Sequence, residues 1–169
     1  MVAVSLQPVT GLLVWAVAGR GAWMDLGNAV PQRLALSAGA SPRLATKAWL
    51  GAPGNLTELG RAARAVGGSV IEAGFSLCPR RFLPPAAPID AMIGIPATAS
   101  LDAWEWDIAP GDLIVREGGG AATDLTGMPL RYNKADPRFG SGLIIATDRP
   151  LHRDLVAALG QRSGPAPAA

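Results

Sequence analysis

The sequence holds one cysteine, Cys78, and one histidine, His152. A single Cys excludes an internal disulfide and any Cys-based zinc site, and it fits a reducing compartment, so the expected location is the cytoplasm. A single His likewise excludes a His-rich metal site, and any metal would be a hard ion held by oxygen ligands. Charge is also scarce: 17% of residues are charged, 15 basic against 13 acidic, for a net charge of +2. The longest basic run is Arg80-Arg81, and the five Trp, three Phe and one Tyr do not alternate with the arginines. A nucleic-acid footprint needs a clustered basic stripe with interleaved aromatics, so no nucleic-acid partner is expected. No apolar run approaches the roughly 20 residues of a membrane span, so no membrane partner is expected either. Gly11 to Ala18 is apolar and Ala16-Val17-Ala18 imitates a leader-cleavage site. No Lys or Arg precedes it, and Pro8 and Gly11 interrupt it, so it reads as two short strands joined by a turn.

Apolar residues are plentiful, at 49% of 169 residues, which excludes disorder for most of the chain. At that length a single domain buries about two-thirds of its unfolded surface and needs no staple. The expected organisation is one domain over residues 1–160 and a Pro/Ala-rich flexible tail over 161–169. The 21 Gly and 15 Pro follow no fixed period and so mark many turns rather than a fibre.

The pattern predicts a hairpin of residues 2–6 and 12–17, then a glycine-broken turn over 19–23. Short strands are expected at 33–36, 46–50, 89–95, 121–124 and 143–147. A helix is expected over 56–66, capped by Asn55 and ended by Gly67. Ser69 and Glu72 form an S-x-x-E box that predicts a second helix over 70–78, stopped by Pro79. Residues 79–88, with four prolines, read as a loop. Asp107 is placed to N-cap a helix over 108–117, with Pro110 inside its first turn. Asp148 is placed to cap a last helix over 150–159 that carries His152 on the surface. Strands and helices alternate in the second half, giving an α/β or α+β class.

Trp106-Asp107-Ile108-Ala109-Pro110-Gly111, then Glu117-Gly118-Gly119-Gly120, then Thr123-Asp124-Leu125-Thr126-Gly127 resemble the C-terminal signature of the inositol monophosphatase family. That signature is W-D-x-A-x-G, a short apolar helix, E-A-G-G and a T-D-x-x-G turn, with Gly118 here in place of Ala. Gly19-Arg20-Gly21-Ala22 resembles the family's G-x-G-A element. Gly68-Ser69 resembles the G-S/T pair that opens its substrate-side helix, and 142–152 resembles its last strand and helix. The resemblance implies a layered α/β sandwich of the inositol monophosphatase and fructose-bisphosphatase-like fold, of which this chain matches the later part.

The resemblance also implies Mg²⁺-dependent hydrolysis of a small phosphomonoester. That chemistry uses several carboxylates to hold Mg²⁺ ions that neutralise charge on the transferring phosphoryl group. Asp107 then corresponds to a metal ligand, with a plain helix cap as its other reading, and Trp106 packs beneath it. Gly68 and Ser69 correspond to positions that line the substrate pocket, with a helix cap as the other reading of Ser69. Asp124 reads as a turn residue; the family's acidic substrate contact a few residues before W-D has no in-register match, and Asp102 and Glu105 read as surface acids, with replacement of that contact as their other reading. The family's remaining metal ligands, in a G-E-E and a D-P-I-D-G-T element, stand upstream of G-x-G-A and have no match here. Ala87-Pro88-Ile89-Asp90-Ala91-Met92 is no substitute, since Asp90 matches the Asp of a later G-x-x-D-A strand. One carboxylate cannot assemble a two-metal site. Two readings follow: part of such a phosphatase without its first metal-binding motifs, or an inactive chain that acts only through association, including as a homodimer.

Overall fold

A computed structural model describes residues 1–27, 30–46, 53–72, 82, 89–96, 101–140 and 142–160. The chain opens with the expected hairpin. Strands β1 (Val2–Gln7) and β2 (Leu12–Val17) pair antiparallel with Ala3 opposite Ala16. The next segment corrects the expected turn: Gly21 already begins β3 (Gly21–Asp25), which pairs with β2 and places Trp23 opposite Trp15. Strand β4 (Gln32–Leu34) completes a four-stranded antiparallel sheet. Ala3, Leu12, Val14, Ala16, Ala22 and Leu34 alternate onto one face and are buried there.

The second sheet has five strands in the order β6-β5-β7-β11-β9. Strand β5 (Arg43–Thr46) runs parallel to both β6 (Ser69–Glu72) and β7 (Ala91–Gly94). Strand β11 (Leu143–Ala146) runs antiparallel to β7 and to β9 (Ala121–Thr123). The carboxyl ends of β5, β6, β7 and β9 therefore share one edge of the sheet.

Helix α1 (Pro53–Ala65) begins at a proline, whose fixed φ and missing N–H suit the first helical position; the expected cap, Asn55, lies inside the helix. At its end the Gly68 N–H returns to the Ala63 carbonyl at 2.8 Å. The expected helix over 70–78 is corrected for residues 69–72, which form β6; residues 73–78 lie outside the described residues. The Ser69 N–H donates to the Pro42 carbonyl at 2.9 Å, and Val70 and Ile71, both β-branched, pair along β5. A Cβ on Gly68 would stand 2.3 Å from the Pro42 oxygen, so only glycine permits this approach. The strand expected at 46–50 is met only by the end of β5, and residues 47–50 lie outside the described residues, as does all of the expected loop except Phe82.

Helix α2 (Glu105–Glu117) starts earlier than expected, and its N-cap is Trp104 rather than Asp107. Pro110 therefore lies in the second turn, where its missing N–H leaves the Trp106 carbonyl without its helical donor. Two short strands carry no signal in the sequence: β8 (Leu101–Trp104) pairs antiparallel with β10 (Arg138–Phe139). Helix α3 (Arg149–Gly160) follows Asp148, whose Oδ1 accepts the Leu151 N–H at 2.7 Å as an N-cap should. His152 corrects the expected surface position: it is buried on the inner side of α3.

The layers follow from which faces are apolar. Leu59, Ala62 and Ala63 of α1 and Leu151, Leu155 and Leu159 of α3 cover one face of the five-stranded sheet through Leu44, Ile93 and Ile144. Ile108 and Val115 of α2 cover the other face through Met92, Leu143 and Ile145. Leu113 and Ile114, on the far side of α2, pack against the four-stranded sheet. Each fully buried side chain of this size contributes about 1.5–3 kcal/mol, so α2, apolar on two sides, is the element that joins the two sheets. The order is helices, sheet, helix, sheet: a layered α/β sandwich. Among the described residues no helix is long and apolar enough to cross a membrane.

Candidate functional site

Asp107 is the third residue of α2 and is exposed. Its Oδ2 accepts the Trp104 N–H at 3.2 Å, closing the N-terminal turn, and its other oxygen has no partner among the described residues. The positive end of the helix dipole favours a carboxylate or a bound anion at this place. Trp106 does not pack beneath Asp107 as expected; it is 62% exposed and stacks on Trp104 at 4.9 Å.

Helix α2 runs into β9 through Gly118–Gly120 and packs back along it, so its first turn lies at the carboxyl edge of the five-stranded sheet. The β8–β10 pair stands at the same end, because Phe139 leads into Leu143, the partner of Gly94 at the end of β7. Ligands of open α/β sheets gather at such carboxyl edges. Gly68 and Ser69 lie at the opposite edge. Ser69 pairs with Arg43, the first residue of β5, and three strand steps, about 10 Å, separate it from the carboxyl end. The structure does not bring the two expected substrate-lining positions to Asp107.

Glu105, two residues before Asp107, is already occupied. Glu105 accepts the backbone N–H groups of Asn133 at 2.6 Å and Lys134 at 3.1 Å, and it pairs with the Lys134 ammonium. The Lys134 side chain, joined by both N–H groups and opposed by desolvation, holds the Glu105 carboxyl below its usual range. A cavity of about 600 Å³ opens beside this edge, lined by Asp124, Arg131, Lys134, Arg138 and Phe139 but not by Asp107.

The other residues of the signature hold the fold together. Glu117 accepts the N–H groups of Gly19 at 2.7 Å and Gly21 at 2.8 Å, tying the G-x-G-A element to the end of α2. Those two backbone donors depress the Glu117 pKa against a smaller desolvation effect. A Cβ on Gly120 would stand 2.3 Å from the Ala146 oxygen, so this turn must be glycine. Asp124 closes its turn by accepting from Thr126 N–H at 2.8 Å, Thr126 hydroxyl at 2.7 Å and Met128 N–H at 3.0 Å. Burial raises its pKa, but the Thr126 hydroxyl and the backbone donors more than offset that. Asp90 is buried at the amino edge and accepts the Gly39 N–H at 2.7 Å and the Arg43 N–H at 2.8 Å.

One constellation goes beyond the residues that the sequence points to. Asp112, 3% exposed on α2, accepts from Arg116 Nε at 2.6 Å, Arg116 Nη2 at 3.2 Å and the Tyr132 hydroxyl at 2.8 Å. The i,i+4 spacing of Asp112 and Arg116 signals the pair in the sequence; Tyr132 joins only through the fold. Burial, reinforced by the Asp112 charge, pushes the Tyr132 hydroxyl far above its usual range.

No group of three or more His, Cys, Asp or Glu able to hold a metal ion occurs among the described residues. Asp107 offers one carboxylate oxygen without a partner among the described residues, and it belongs to no such group. The described residues therefore do not fit a bound Mg²⁺ pair by themselves.

Known proteins place this architecture. The structure of an extragenic suppressor protein SuhB from Bartonella henselae superposes with a TM-score of 0.66 at 20% identity, covering 96% of this chain and 57% of that one. An inositol monophosphatase from Anabaena superposes at 0.64 with 18% identity, covering 95% and 61%. CysQ from Bacteroides thetaiotaomicron superposes at 0.63 with 23% identity, covering 88% and 59%. These likenesses establish the fold, and the chain spans about three-fifths of the length of those structures. A 3'(2'),5'-bisphosphate nucleotidase from Emericella nidulans is 30% identical over 70 residues, 41% of this chain and 20% of that protein. The sequence model of the inositol monophosphatase family matches residues 1–163. The chain belongs to the inositol monophosphatase family.

Proposed function

We propose that this chain carries the Asp107-bearing part of a phosphomonoesterase of the inositol monophosphatase type, and that it is inactive alone. The proposed substrate is an inositol phosphate or a related small sugar or alcohol phosphate, and the proposed cofactor is Mg²⁺. One observation supports the reading: Asp107 stands exposed at a helix N-terminus on the carboxyl edge of the sheet, with an oxygen unpartnered and no metal-binding carboxylate cluster among the described residues. Asp107 is a metal ligand in this proposal. Gly68 and Ser69 stay outside it, because a small substrate at Asp107 would not span the sheet to reach them.

The test joins the leading portion of the Anabaena relative ahead of Met1 and measures Mg²⁺-dependent phosphate release from inositol monophosphate. The chimera should turn over, and Asp107→Asn should abolish release. A folded chimera that is inactive, or one indifferent to Asp107→Asn, overturns the proposal.

A second reading, action through association with another chain, is favoured by the outer face of the four-stranded sheet. Val2, Val4 and Leu6 of β1 are 63%, 58% and 60% exposed. They align with half-buried Leu13, Trp15 and Val17 on β2, and Trp15 stacks on Trp23 at 6.2 Å. A strand apolar on both faces, as β2 is, belongs to a sheet covered on both sides. Self-association that Val4→Lys weakens, measured by sedimentation, would support it; a monomer at all concentrations would contradict it.

A further inference from the structure

A second cavity, of about 640 Å³, runs along the outer strand β9 of the five-stranded sheet and shares Pro129 and Leu130 with the first. Ala121, Ala122 and Thr123 line it, together with Arg116 at the end of α2 and with Arg149 and His152 at the start of α3, two helices that cover opposite faces of the sheet. Its size falls within the roughly 300–1,000 Å³ range of small-molecule sites.

The hydrogen-bond inventory of the walls is one-sided. Both wall carboxylates are spent within the protein. Asp112 is occupied by Arg116 and Tyr132, and Glu117 by the Gly19 and Gly21 N–H groups. Arg116 still has its Nη1 without a described partner, because only Nε and Nη2 meet Asp112. Arg149 has no hydrogen bond or ion pair among the described residues. Among the charged side chains of the lining, the unspent capacity is thus two guanidinium donors, from two different helices.

His152 adds an acceptor. Thr123 donates its only hydroxyl hydrogen to the Asp124 carbonyl at 2.8 Å, so at 2.9 Å it must accept from His152 Nε2–H. In the neutral ring that tautomer leaves Nδ1 unprotonated, and desolvation, which lowers the His152 pKa, favours the neutral ring. Arg116 in the last turn of α2 offsets the negative end of that helix dipole, while α3 presents its positive end beside Arg149.

We propose that this cavity binds a small molecule through a phosphate group, gripped between the Arg149 guanidinium and the free edge of the Arg116 guanidinium. Guanidinium forks match phosphate oxygens, and two of them can share one phosphate. The phosphate is either the free ion or a hydroxyl-bearing ester whose hydroxyl donates to His152 Nδ1. Arg116 stands at the opposite end of α2 from Asp107, and the proposed grip uses no residue of the function proposed for that edge.

The experiment titrates inorganic phosphate and, separately, glycerol 3-phosphate into the full chain at fixed ionic strength, following the backbone amides of Ala121, Ala122 and Thr123 by NMR. Both ligands should give saturable shifts at these amides. Tighter binding of the ester identifies the hydroxyl contact at His152, and equal binding identifies the phosphate group alone as the ligand. Arg149→Ala, at an exposed residue with no described partner, should weaken binding by about tenfold, and Arg149→Lys should recover part of it. Asp107→Asn should leave these titrations unchanged, which keeps this site's failure separate from that of the Asp107 edge. Absence of saturable shifts, or shifts that Arg149→Ala does not weaken, overturns the proposal.

Discussion

Replacing Asp90 by Ala tests whether this carboxylate is a knot of the fold rather than a displaced metal ligand. Asp90 immediately precedes β7, and its two oxygens accept the Gly39 N–H at 2.7 Å and the Arg43 N–H at 2.8 Å. Its backbone carbonyl receives the Thr147 N–H at 2.8 Å and the Thr147 hydroxyl at 3.1 Å, so one residue joins the 37–43 segment, β5, β7 and the end of β11. Alanine removes both side-chain acceptors. Gly39 is exposed, and water can satisfy its N–H, for a cost of about 1 kcal/mol. Arg43 opens β5 and is half-buried, so its N–H loses about 2 kcal/mol. The sum, about 3 kcal/mol, is a large share of the roughly 5–15 kcal/mol that holds a domain of this size. It corresponds to a fall in Tm of about 6–12 °C. Asp90→Asn keeps one acceptor but turns an amide NH₂ toward the other N–H, so it should cost about 2 kcal/mol. Urea unfolding followed by tryptophan fluorescence measures both variants. A loss below about 1 kcal/mol for Asp90→Ala, or an Asn variant as stable as the parent, would refute the reasoning.

His152 gives a pH-dependent outcome. Burial lowers its folded pKa below the ordinary 6.5, so the unfolded chain binds a proton that the folded one resists. Its contribution is intact above pH 6.5 and is lost as pH falls below that value toward the folded pKa. The stability difference between pH 7.5 and pH 5.5 should therefore be smaller in His152→Gln than in the parent, measured by urea unfolding at each pH. Gly120→Ala drives a Cβ to 2.3 Å from the Ala146 oxygen and 2.6 Å from Val115 Cγ1. It should destabilise by about 1–3 kcal/mol or more in a thermal melt. Gly160→Ala, with nothing within 4 Å, should leave Tm unchanged or raise it.

The parts of the fold written in local pattern are legible in the sequence. The hairpin shows as two β-prone runs around Pro8 to Gly11, and α3 shows as an apolar stripe behind the Asp148 cap. Where two local cues compete, the sequence misleads. Ser69 and Glu72 spell a capping box, yet Val70 and Ile71 enter a sheet because Gly68 lets the chain lie against Pro42 and β5 supplies the ladder. Strands β8 and β10 are short, and their pairing is set by residues far apart in the chain, so no periodicity marks them. The signature residues are recognisable as a set, but their roles are not. Glu117, Gly120 and Asp124 bond to backbone or permit close approach, while Asp107 alone among them presents an unpartnered group at the carboxyl edge. The separation of Gly68 and Ser69 from Asp107 depends on strand direction, which a motif does not encode.

The central claim is the proposal that Asp107 is a metal ligand that finds no metal-binding carboxylate cluster around it among the described residues. The most direct test is phosphate release from inositol monophosphate by the purified 169-residue chain in Mg²⁺, beside its Asp107→Asn variant. The account predicts no Mg²⁺-dependent release from either protein. Robust release by the parent, abolished in Asp107→Asn, would contradict it.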